Sequence, residues 1–230
     1  MTALSVEEGY AALAENERDW IAGGRVPSGW KVGLTSVEAQ RRFDSDGPCF
    51  GRLFSDMASP NESTIEWGRF ARPLIEAEIA FRLGKDLSEG DRASDVIEAA
   101  IPAIEIVDSR YPQGPAGLGE LVADNVSGAG FVLGDAVPFA SSFDFAGCRA
   151  DVARNGKPET SGRGSDCLGG PLLSLAWLAE ELTRRGRRLR AGEVVLTGSL
   201  IVPFAAQPGD DIRIEFEGLG SVAISFAEAL

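Results

Sequence analysis

The clearest pattern along the chain is an alternation of apolar and acidic positions between residues 73 and 81. Ile75, Ala77 and Ile79 alternate with Glu76 and Glu78. Side chains two residues apart lie on the same face of a β-strand. The pattern therefore predicts a strand whose apolar face packs in the core and whose other face carries both carboxylates.

The segment from Pro102 to Arg110 contains a second strand pattern, in which Glu105 interrupts an otherwise apolar run. Carboxylates held close together on rigid backbone repel one another unless one keeps its proton or a cation lies between them. A hard divalent cation such as magnesium, manganese or calcium would relieve this repulsion through oxygen ligands. The alternative is a pair of strands with one solvated face, which needs no metal.

Two segments carry strong helix signals. Ser5 and Glu8 have the spacing of a capping box, and apolar positions recur at helical spacing until Gly23. Pro171 occupies a first-turn position ahead of an amphipathic run that ends near Arg184. We expect the apolar stripes of both helices to pack on the core.

Weaker signals predict shorter elements. Thr35 and Glu38 also have capping-box spacing, and Ser94 is placed to cap a short helix that runs to Ala100. Asn155-Gly156 is the strongest two-residue hairpin signal in the chain. These signals predict a second helix, a third helix and a β-hairpin.

The chain divides most economically into a helical N-terminal preface, residues 1–28, and a single domain, residues 29–230. No internal repeat, low-complexity tract or flexible linker interrupts the second part. Residues 43–68 carry turn residues at short intervals, which indicates a long loop with brief extended pieces. Such a loop could cover a site.

Composition narrows the choice of partners. The 230 residues include 22 Lys plus Arg against 35 Asp plus Glu, a net charge of −13, which repels nucleic-acid backbones and anionic membranes. The residues from Met1 to Glu8 lack a basic segment followed by an apolar run, and no window elsewhere approaches membrane-spanning length. We therefore expect a cytoplasmic protein that binds a small molecule, with no nucleic acid and no membrane partner.

The absence of histidine limits the catalytic options. It excludes Ser-His-Asp and Cys-His catalysis and the usual zinc sites. Cys49, Cys148 and Cys167 are odd in number and widely spaced, which argues against a disulfide framework or a zinc knuckle. Acid–base chemistry would then use carboxylates, lysine or metal-bound water.

Lys31 is the one lysine with a candidate role, because it stands between two apolar neighbours. A lysine in such a place is usually an edge residue whose ammonium reaches water. Near a carboxylate cluster it could instead supply a fixed positive charge for an anionic substrate, or donate a proton.

Five ordered blocks of the sequence resemble one known family. The blocks are Gly29–Ser36, Ile75–Phe81, Ile104–Arg110, Ala123–Asn125 and Leu196–Ser199. In this order they resemble the 2-keto-4-pentenoate hydratase / 2-oxohepta-3-ene-1,7-dioate hydratase branch of the fumarylacetoacetate hydrolase superfamily. The resemblance implies an α+β fold with a mostly β core of the fumarylacetoacetate hydrolase C-terminal-domain type and flanking helices.

The resemblance also implies a set of site residues. The implied ligands for Mg2+ or Mn2+ are Glu76, Glu78 and Glu105. The implied catalytic residues are Lys31 and Asp108, and the implied substrate-binding residues are Leu74, Asp124 and Ser199. The substrate would be a 2-oxo acid whose carboxylate and 2-oxo oxygens chelate one cation, which stabilises an enolate.

Three functions stay open on this resemblance, beside an acylpyruvate hydrolase of the wider superfamily; the lack of histidine excludes those hydrolases that use a Glu-His dyad. The first is hydration of 2-hydroxypenta-2,4-dienoate (2-keto-4-pentenoate) in a meta-cleavage-type pathway for aromatic compounds. The second is decarboxylation of 4-oxalocrotonate (2-oxohex-3-enedioate), and the third is a non-catalytic acidic metal-binding domain. The resemblance further implies a homo-oligomer and a complex with a downstream aldolase or a partner decarboxylase or hydratase.

One position departs from the family pattern. Where the hydratases tend to read Pro-Asp-Phe-Gly, this chain reads Pro48-Cys49-Phe50-Gly51. A thiol with an ordinary pKa of about 8.5 is a poor substitute for a carboxylate base. Either Asp108, Lys31 or metal-bound water handles the proton, or the reaction is not the usual hydration.

Overall fold

The structure, a computed structural model, describes residues 4–229 and has an α+β fold in which two β-sheets form the core. Within these residues the helices are α1 (Val6–Ala22), α2 (Val37–Arg42), α3 (Leu118–Ala123) and α4 (Pro171–Arg184). The strands are β1 (Pro27–Gly33), β2 (Cys49–Phe54), β3 (Ala58–Ser59), β4 (Ser63–Ile65), β5 (Leu74–Leu83), β6 (Ile97–Val107), β7 (Gly128–Leu133), β8 (Val137–Pro138), β9 (Arg149–Arg154), β10 (Lys157–Arg163), β11 (Val194–Ser199), β12 (Phe204–Ala205), β13 (Asp211–Phe216) and β14 (Gly220–Phe226). The predicted fold class, a mostly β core with flanking helices, is confirmed.

In the part of the chain that the structure describes, the larger sheet has nine strands. Its main order is β2-β1-β11-β5-β6-β7-β3, while β12 pairs with β5 and β8 pairs with β6. The smaller sheet has the order β10-β9-β13-β14-β4. The two strands predicted to carry acids, β5 and β6, are antiparallel neighbours in the middle of the larger sheet.

The apolar face of β5 packs in the main core, as predicted. Ile75, Ala77 and Ile79 are each 0% exposed, and they belong to a cluster that also takes in buried residues of α4 and the smaller sheet. The opposite face is covered too. Beyond the acids it meets a second apolar cluster, which consists of Leu53, Phe54, Met57, Ala80, Ile101, Ala103, Phe131 and Leu196.

The two strongly predicted helices are confirmed. Ser5 and Glu8 form the capping box of α1, with the Glu8 N–H donating to Ser5 Oγ at 3.3 Å and the Ser5 N–H donating to Glu8 Oε2 at 2.8 Å. Gly9 of α1 approaches Gly119 of α3 so closely that a Cβ on Gly9 would lie 2.3 Å from the Gly119 carbonyl oxygen. Helix α4 begins at Pro171, as expected.

Two shorter predictions are wrong. The N-cap of α2 is Ser36 and not Thr35, because Ser36 Oγ accepts the Ala39 N–H at 3.1 Å. The helix predicted from Ser94 to Ala100 is only a 3-10 turn, Ala93–Val96, followed at once by β6. Pairing of β6 along nearly the whole length of β5 outweighs the local capping signal.

The predicted hairpin at Asn155-Gly156 is confirmed. Both residues have positive φ, 53° and 71°, as a primed turn between antiparallel strands requires, and the turn joins β9 to β10. None of the described helices is long and apolar enough to cross a membrane.

Candidate functional site

Three carboxylates converge on the larger sheet. The register of β5 and β6 places Glu76 directly opposite Glu105, and Glu78 shares the face of Glu76 because the two are two residues apart. One oxygen from each of the three carboxylates lies within 4.8 Å of the others. Glu78 and Glu105 are 0% exposed, so the alternative of a solvated sheet face is wrong.

Burial and mutual repulsion make this cluster electrostatically costly. Burial raises the pKa of Glu78 well above its usual range, and the charges of Glu105 and Glu76 raise it further. Burial and the neighbouring Glu105 raise the pKa of Glu76 to about 7. A cluster of this kind stays ionised at neutral pH only if a positive charge compensates it.

The oxygen atoms of the cluster are suited to a metal ion. Within residues 4–229 no hydrogen-bond donor reaches Glu78 Oε1 or Glu105 Oε2, although both atoms are buried. Buried polar atoms normally have a partner, and an all-carboxylate oxygen set is the set that magnesium, manganese and calcium prefer. The residues therefore fit a hard divalent cation.

Lys31 of β1 is buried against this cluster. Its ammonium lies 2.6 Å from Glu105 Oε1 and donates to the Val126 carbonyl oxygen at 3.0 Å. The side chain is 2% exposed, so the alternative of an edge lysine with its ammonium in water is wrong. Burial by itself lowers the pKa of Lys31, but the charges of Glu105, Glu76 and Glu78 outweigh burial and raise that pKa above its ordinary value.

A strained turn presents the carbonyl group that Lys31 contacts. Asn125, Val126 and Ser127 have φ of 55°, 52° and 53°, in the left-handed region that a β-branched residue such as Val126 rarely adopts. The Asn125 side chain braces the turn, because it accepts the Arg52 N–H at 2.7 Å and donates to the Arg52 carbonyl oxygen at 2.9 Å. The turn thus connects β2 to the Lys31 ammonium.

Replacement of Asn125 tests this bracing. We expect Asn125→Ala to lower the free energy of unfolding by about 1–3 kcal/mol, because the Arg52 N–H and C=O would be left buried without partners. Urea denaturation measures the loss. The matched control is Asn155→Ala. Asn155 also has a left-handed backbone conformation and two side-chain hydrogen bonds, but it lies on an exposed hairpin. Equal losses in the two variants would contradict the bracing role.

Two predicted site aspartates hold loops beside the site. Asp108 accepts the Ala71 N–H at 2.6 Å and the Arg72 N–H at 3.0 Å. Asp124 accepts from Arg110 Nε at 2.7 Å and from Ser109 Oγ at 2.8 Å. Both carboxylates are therefore engaged by neighbouring protein groups.

A cavity of about 1620 Å³ opens over the cluster. The predicted site residues that line it are Lys31, Leu74, Glu76, Asp108 and Ser199. Glu78, Glu105 and Asp124 are not among the lining residues, and Glu78 and Glu105 lie buried behind the wall. The hydroxyl of Ser199 donates to the Ile201 carbonyl oxygen at 2.9 Å and so lies in a local turn at the cavity wall.

Much of the remaining cavity wall was missed by sequence reasoning. Its apolar part includes Leu34, Phe43, Trp67 and Leu168, which come from four separate segments. The hydrophobic character of these positions was visible in the sequence, but apolar residues of the core and of a cavity wall look alike there. The predicted loop at residues 43–68 contributes two of the four, so its expected proximity to the site holds.

Cys49 occupies a position beside the site but outside the cavity wall. It is the first residue of β2, lies opposite Gly33, and is 2% exposed. Burial raises the pKa of its thiol to about 12. The thiol therefore keeps its proton at neutral pH and cannot serve as the proton acceptor that the family's aspartate would supply.

Comparison with known proteins points to one family. The model of the fumarylacetoacetate (FAA) hydrolase C-terminal family matches residues 32–226. The chain is 40% identical over 225 residues to 2-keto-4-pentenoate hydratase 1 of Dechloromonas aromatica, with 96% of this chain and 86% of the relative covered. It is also 40% identical over 231 residues to the TodF product hydratase of Pseudomonas putida, with 97% and 85% covered.

A solved structure shares the whole architecture. The 4-oxalocrotonate decarboxylase of Pseudomonas putida G7, complexed with magnesium and adipate, superposes with a TM-score of 0.91 at 30% sequence identity. The match covers 96% of this chain and 86% of the decarboxylase. Hydratases and a decarboxylase are thus both among the proteins that this chain resembles.

Proposed function

The chain belongs to the fumarylacetoacetate hydrolase C-terminal family, and from this premise we propose that it is a metal-dependent lyase that hydrates 2-hydroxypenta-2,4-dienoate. The observation that carries the proposal is the cluster of three carboxylates with Lys31 against it, of which Glu76 and Lys31 line one large cavity. The hydratases at 40% identity support the reaction type. Such a reaction belongs to the catabolism of aromatic compounds by ring cleavage.

Glu76, Glu78 and Glu105 would hold one Mg2+ or Mn2+ ion. Their donor atoms are all carboxylate oxygens, and two of these are buried without a hydrogen-bond partner among the described residues. When bound, such an ion supplies Lewis-acid stabilisation of the negative charge that develops on a 2-oxo group.

Lys31 supplies the positive charge that the chain itself brings to the reaction. Its raised pKa keeps the ammonium charged at neutral pH, so Nζ can bind a substrate carboxylate or donate a proton but cannot accept one. Its contacts with Glu105 and Val126 hold Nζ in place, which reduces the reorganisation needed when the substrate arrives. We propose Lys31 as the catalytic residue.

The loops around the cavity would orient the rest of the substrate. Asp108 fixes the backbone of residues 71–72 through two hydrogen bonds, so we assign it first to positioning; its catalytic role stays a prediction. Leu74 and Ser199 line the cavity and are proposed to contact substrate. Asp124 would act indirectly, through the loop that it holds with Arg110.

Decarboxylation of 4-oxalocrotonate is the second candidate function. Two observations favour it: the similarity to a decarboxylase that is complexed with magnesium and adipate, and the protonated thiol of Cys49 in place of an acid. Both reactions use the same electron sink, so the metal site alone does not discriminate between them.

Absorbance and gas release separate the two functions. We expect the protein with Mg2+ to remove the ultraviolet absorbance of 2-hydroxypenta-2,4-dienoate without release of CO2. Release of CO2 from 2-oxohex-3-enedioate, with the dienoate left unchanged, would instead identify a decarboxylase. A protein that leaves both chromophores intact in the presence of Mg2+ and Mn2+ would contradict the proposed lyase activity and favour a non-catalytic metal-binding domain.

Replacement of Cys49 tests whether its thiol takes part in the chemistry. We expect Cys49→Ala to keep kcat within about threefold of wild type, because a thiol with a pKa of about 12 is not a proton acceptor at neutral pH. Steady-state kinetics with the dienoate measures the effect, and thermal unfolding reports any packing loss. A fall in kcat beyond about tenfold in a folded variant would assign the thiol a direct role.

We also propose that the protein acts in the cytoplasm as a homo-oligomer, in a complex with a downstream aldolase or a partner decarboxylase or hydratase. The family resemblance supports this assembly. Sedimentation velocity of the purified chain, alone and mixed with the candidate partner enzyme, measures both associations. A monomer at micromolar concentration would contradict the homo-oligomer.

A further inference from the structure

We infer that Cys167 and Ser174 are positioning residues for the carboxylate cluster: they fix the peptide group between Thr197 and Gly198, whose N–H binds Glu78. The inference rests on the proposed metal site and adds two residues to it. Neither residue lines the cavity. The inference follows from a short chain of buried hydrogen bonds.

The peptide group between Thr197 and Gly198 is held at both ends. Its carbonyl oxygen accepts from Cys167 Sγ at 2.8 Å and from Ser174 Oγ at 2.5 Å. Its N–H, on Gly198, donates to Glu78 Oε2 at 2.7 Å. Because the peptide unit is planar and its C=O and N–H point in opposite directions, a fixed carbonyl also fixes the direction of the N–H.

This peptide lies where the ladder between β11 and β5 is interrupted. The regular pairing ends at Leu196 and resumes at Ser199, which lies opposite Glu78. Gly198 has a φ of 109°, and a Cβ there would lie 2.4 Å from the Thr35 side chain. Glycine is therefore required on both conformational and steric grounds.

Side chains replace the missing strand pairing around this peptide. Besides the two donors to its carbonyl oxygen, Thr197 Oγ1 donates to the Ile79 carbonyl oxygen of β5 at 2.6 Å. Cys167, Ser174 and Thr197 are each 0% exposed, so water cannot take over a lost hydrogen bond without opening the core. Burial raises the pKa of Cys167 to about 12, which keeps its thiol protonated and able to donate.

The two carboxylate oxygens of Glu78 therefore differ in their hydrogen bonding. Oε2 is held by the Gly198 N–H, while Oε1 has no hydrogen-bond partner among the described residues. Partners of this kind orient the ligands of metal sites, and their loss typically costs about 10–100-fold in metal affinity. Cys167 and Ser174 do not contact Glu78 themselves; they act on it through the peptide group between Thr197 and Gly198.

The test is calorimetric titration of the metal-free protein with Mn2+. We expect Cys167→Ala/Ser174→Ala to bind Mn2+ about tenfold more weakly than wild type, at the lower end of the range for outer-sphere changes. Cys167→Ser, which keeps a donor at the same position, should restore affinity to within about threefold of wild type when combined with Ser174→Ala. The matched control is Thr183→Ala, which removes a hydroxyl-to-carbonyl hydrogen bond elsewhere on α4.

The spectrum of bound Mn2+ gives a second readout. Electron paramagnetic resonance of the double variant should show a changed line shape, because a reoriented Glu78 alters the ligand field, whereas Thr183→Ala should match wild type. A purely structural role would lower the melting temperature of the double variant while leaving Mn2+ affinity and line shape unchanged, and this result would overturn the inference.

Two further outcomes are decisive. If the double variant does not fold, the single variant Ser174→Ala is titrated in its place, because alanine favours the helix that contains residue 174. A Mn2+ affinity equal to that of wild type would overturn the inference. Mn2+ binding about threefold weaker than wild type would support it. If wild type itself binds neither Mn2+ nor Mg2+, the proposed metal site fails. Unchanged affinity in the variants beside a binding wild type contradicts only the positioning role.

Discussion

Lys31→Ala is expected to lower turnover of the dienoate by about 10²–10⁴-fold, the usual range for a positioned acid–base group. The loss follows from the geometry of the wild type, where the ammonium lies 2.6 Å from Glu105 at the wall of the cavity. Steady-state kinetics with saturating Mg2+ measures the change in kcat and KM. The matched control is Lys157→Ala, which removes an exposed lysine of β10.

Stability has to be measured beside activity in this variant. Removal of one member of a buried ion pair typically destabilises a protein by about 3–5 kcal/mol, because the remaining charge is buried without compensation. Lys31→Met keeps most of the apolar stem and serves as a second variant, and thermal unfolding in the presence of Mg2+ verifies that each protein is folded. A folded Lys31→Met protein with kcat within tenfold of wild type would remove Lys31 from the proposed chemistry.

Glu76→Gln/Glu78→Gln is expected to abolish binding of Mg2+ and Mn2+. The substitutions remove two of the three carboxylates whose oxygens lie within 4.8 Å of one another, and hard cations depend on carboxylate oxygen ligands for affinity. The loss of metal affinity should exceed roughly 10–100-fold, which is the loss that follows when residues that contact the metal ligands, but not the metal, are replaced. Calorimetric titration of the metal-free protein measures it, and turnover should disappear with it.

The control for this pair is an acid outside the site. Glu89→Gln removes one exposed carboxylate and should leave both metal affinity and turnover at the wild-type level. Unchanged Mg2+ affinity in the double variant, in a protein that unfolds cooperatively, would contradict the assignment of the cluster as the metal site.

Local sequence rules predicted the elements that carry the site. The alternation in residues 73–81 predicted both the strand and the shared face of Glu76 and Glu78, because side chains in a strand alternate with a period of two whatever surrounds them. The capping box at Ser5 and the helix start at Pro171 depend on neighbours three or four residues away, and both were found where predicted.

Local rules failed where distant pairing competes with them. The capping signal at Ser94 predicted a helix, but the pairing of β6 with β5 is stronger and the segment forms a strand after one 3-10 turn. Helix α3, Leu118–Ala123, lies in a Gly- and Pro-rich region and was not predicted at all; it packs against α1, more than 90 positions away in the sequence. The left-handed conformation of Val126 was also invisible, since a β-branched residue has no local preference for it.

Residue types and spacing singled out Glu76, Glu78, Glu105 and Lys31 but left a solvated face and an edge lysine open. Their roles as metal ligands and catalytic residue came from the resemblance to the family and stay predictions. Their assembly depends on the register between strands. The contacts of Lys31 with Val126 and of Gly198 with Glu78 join residues 95 and 120 positions apart. Burial of Lys31, exclusion of Cys49 from the cavity wall and the peptide held by Cys167 all arise from such long-range packing, which no periodicity in the chain encodes.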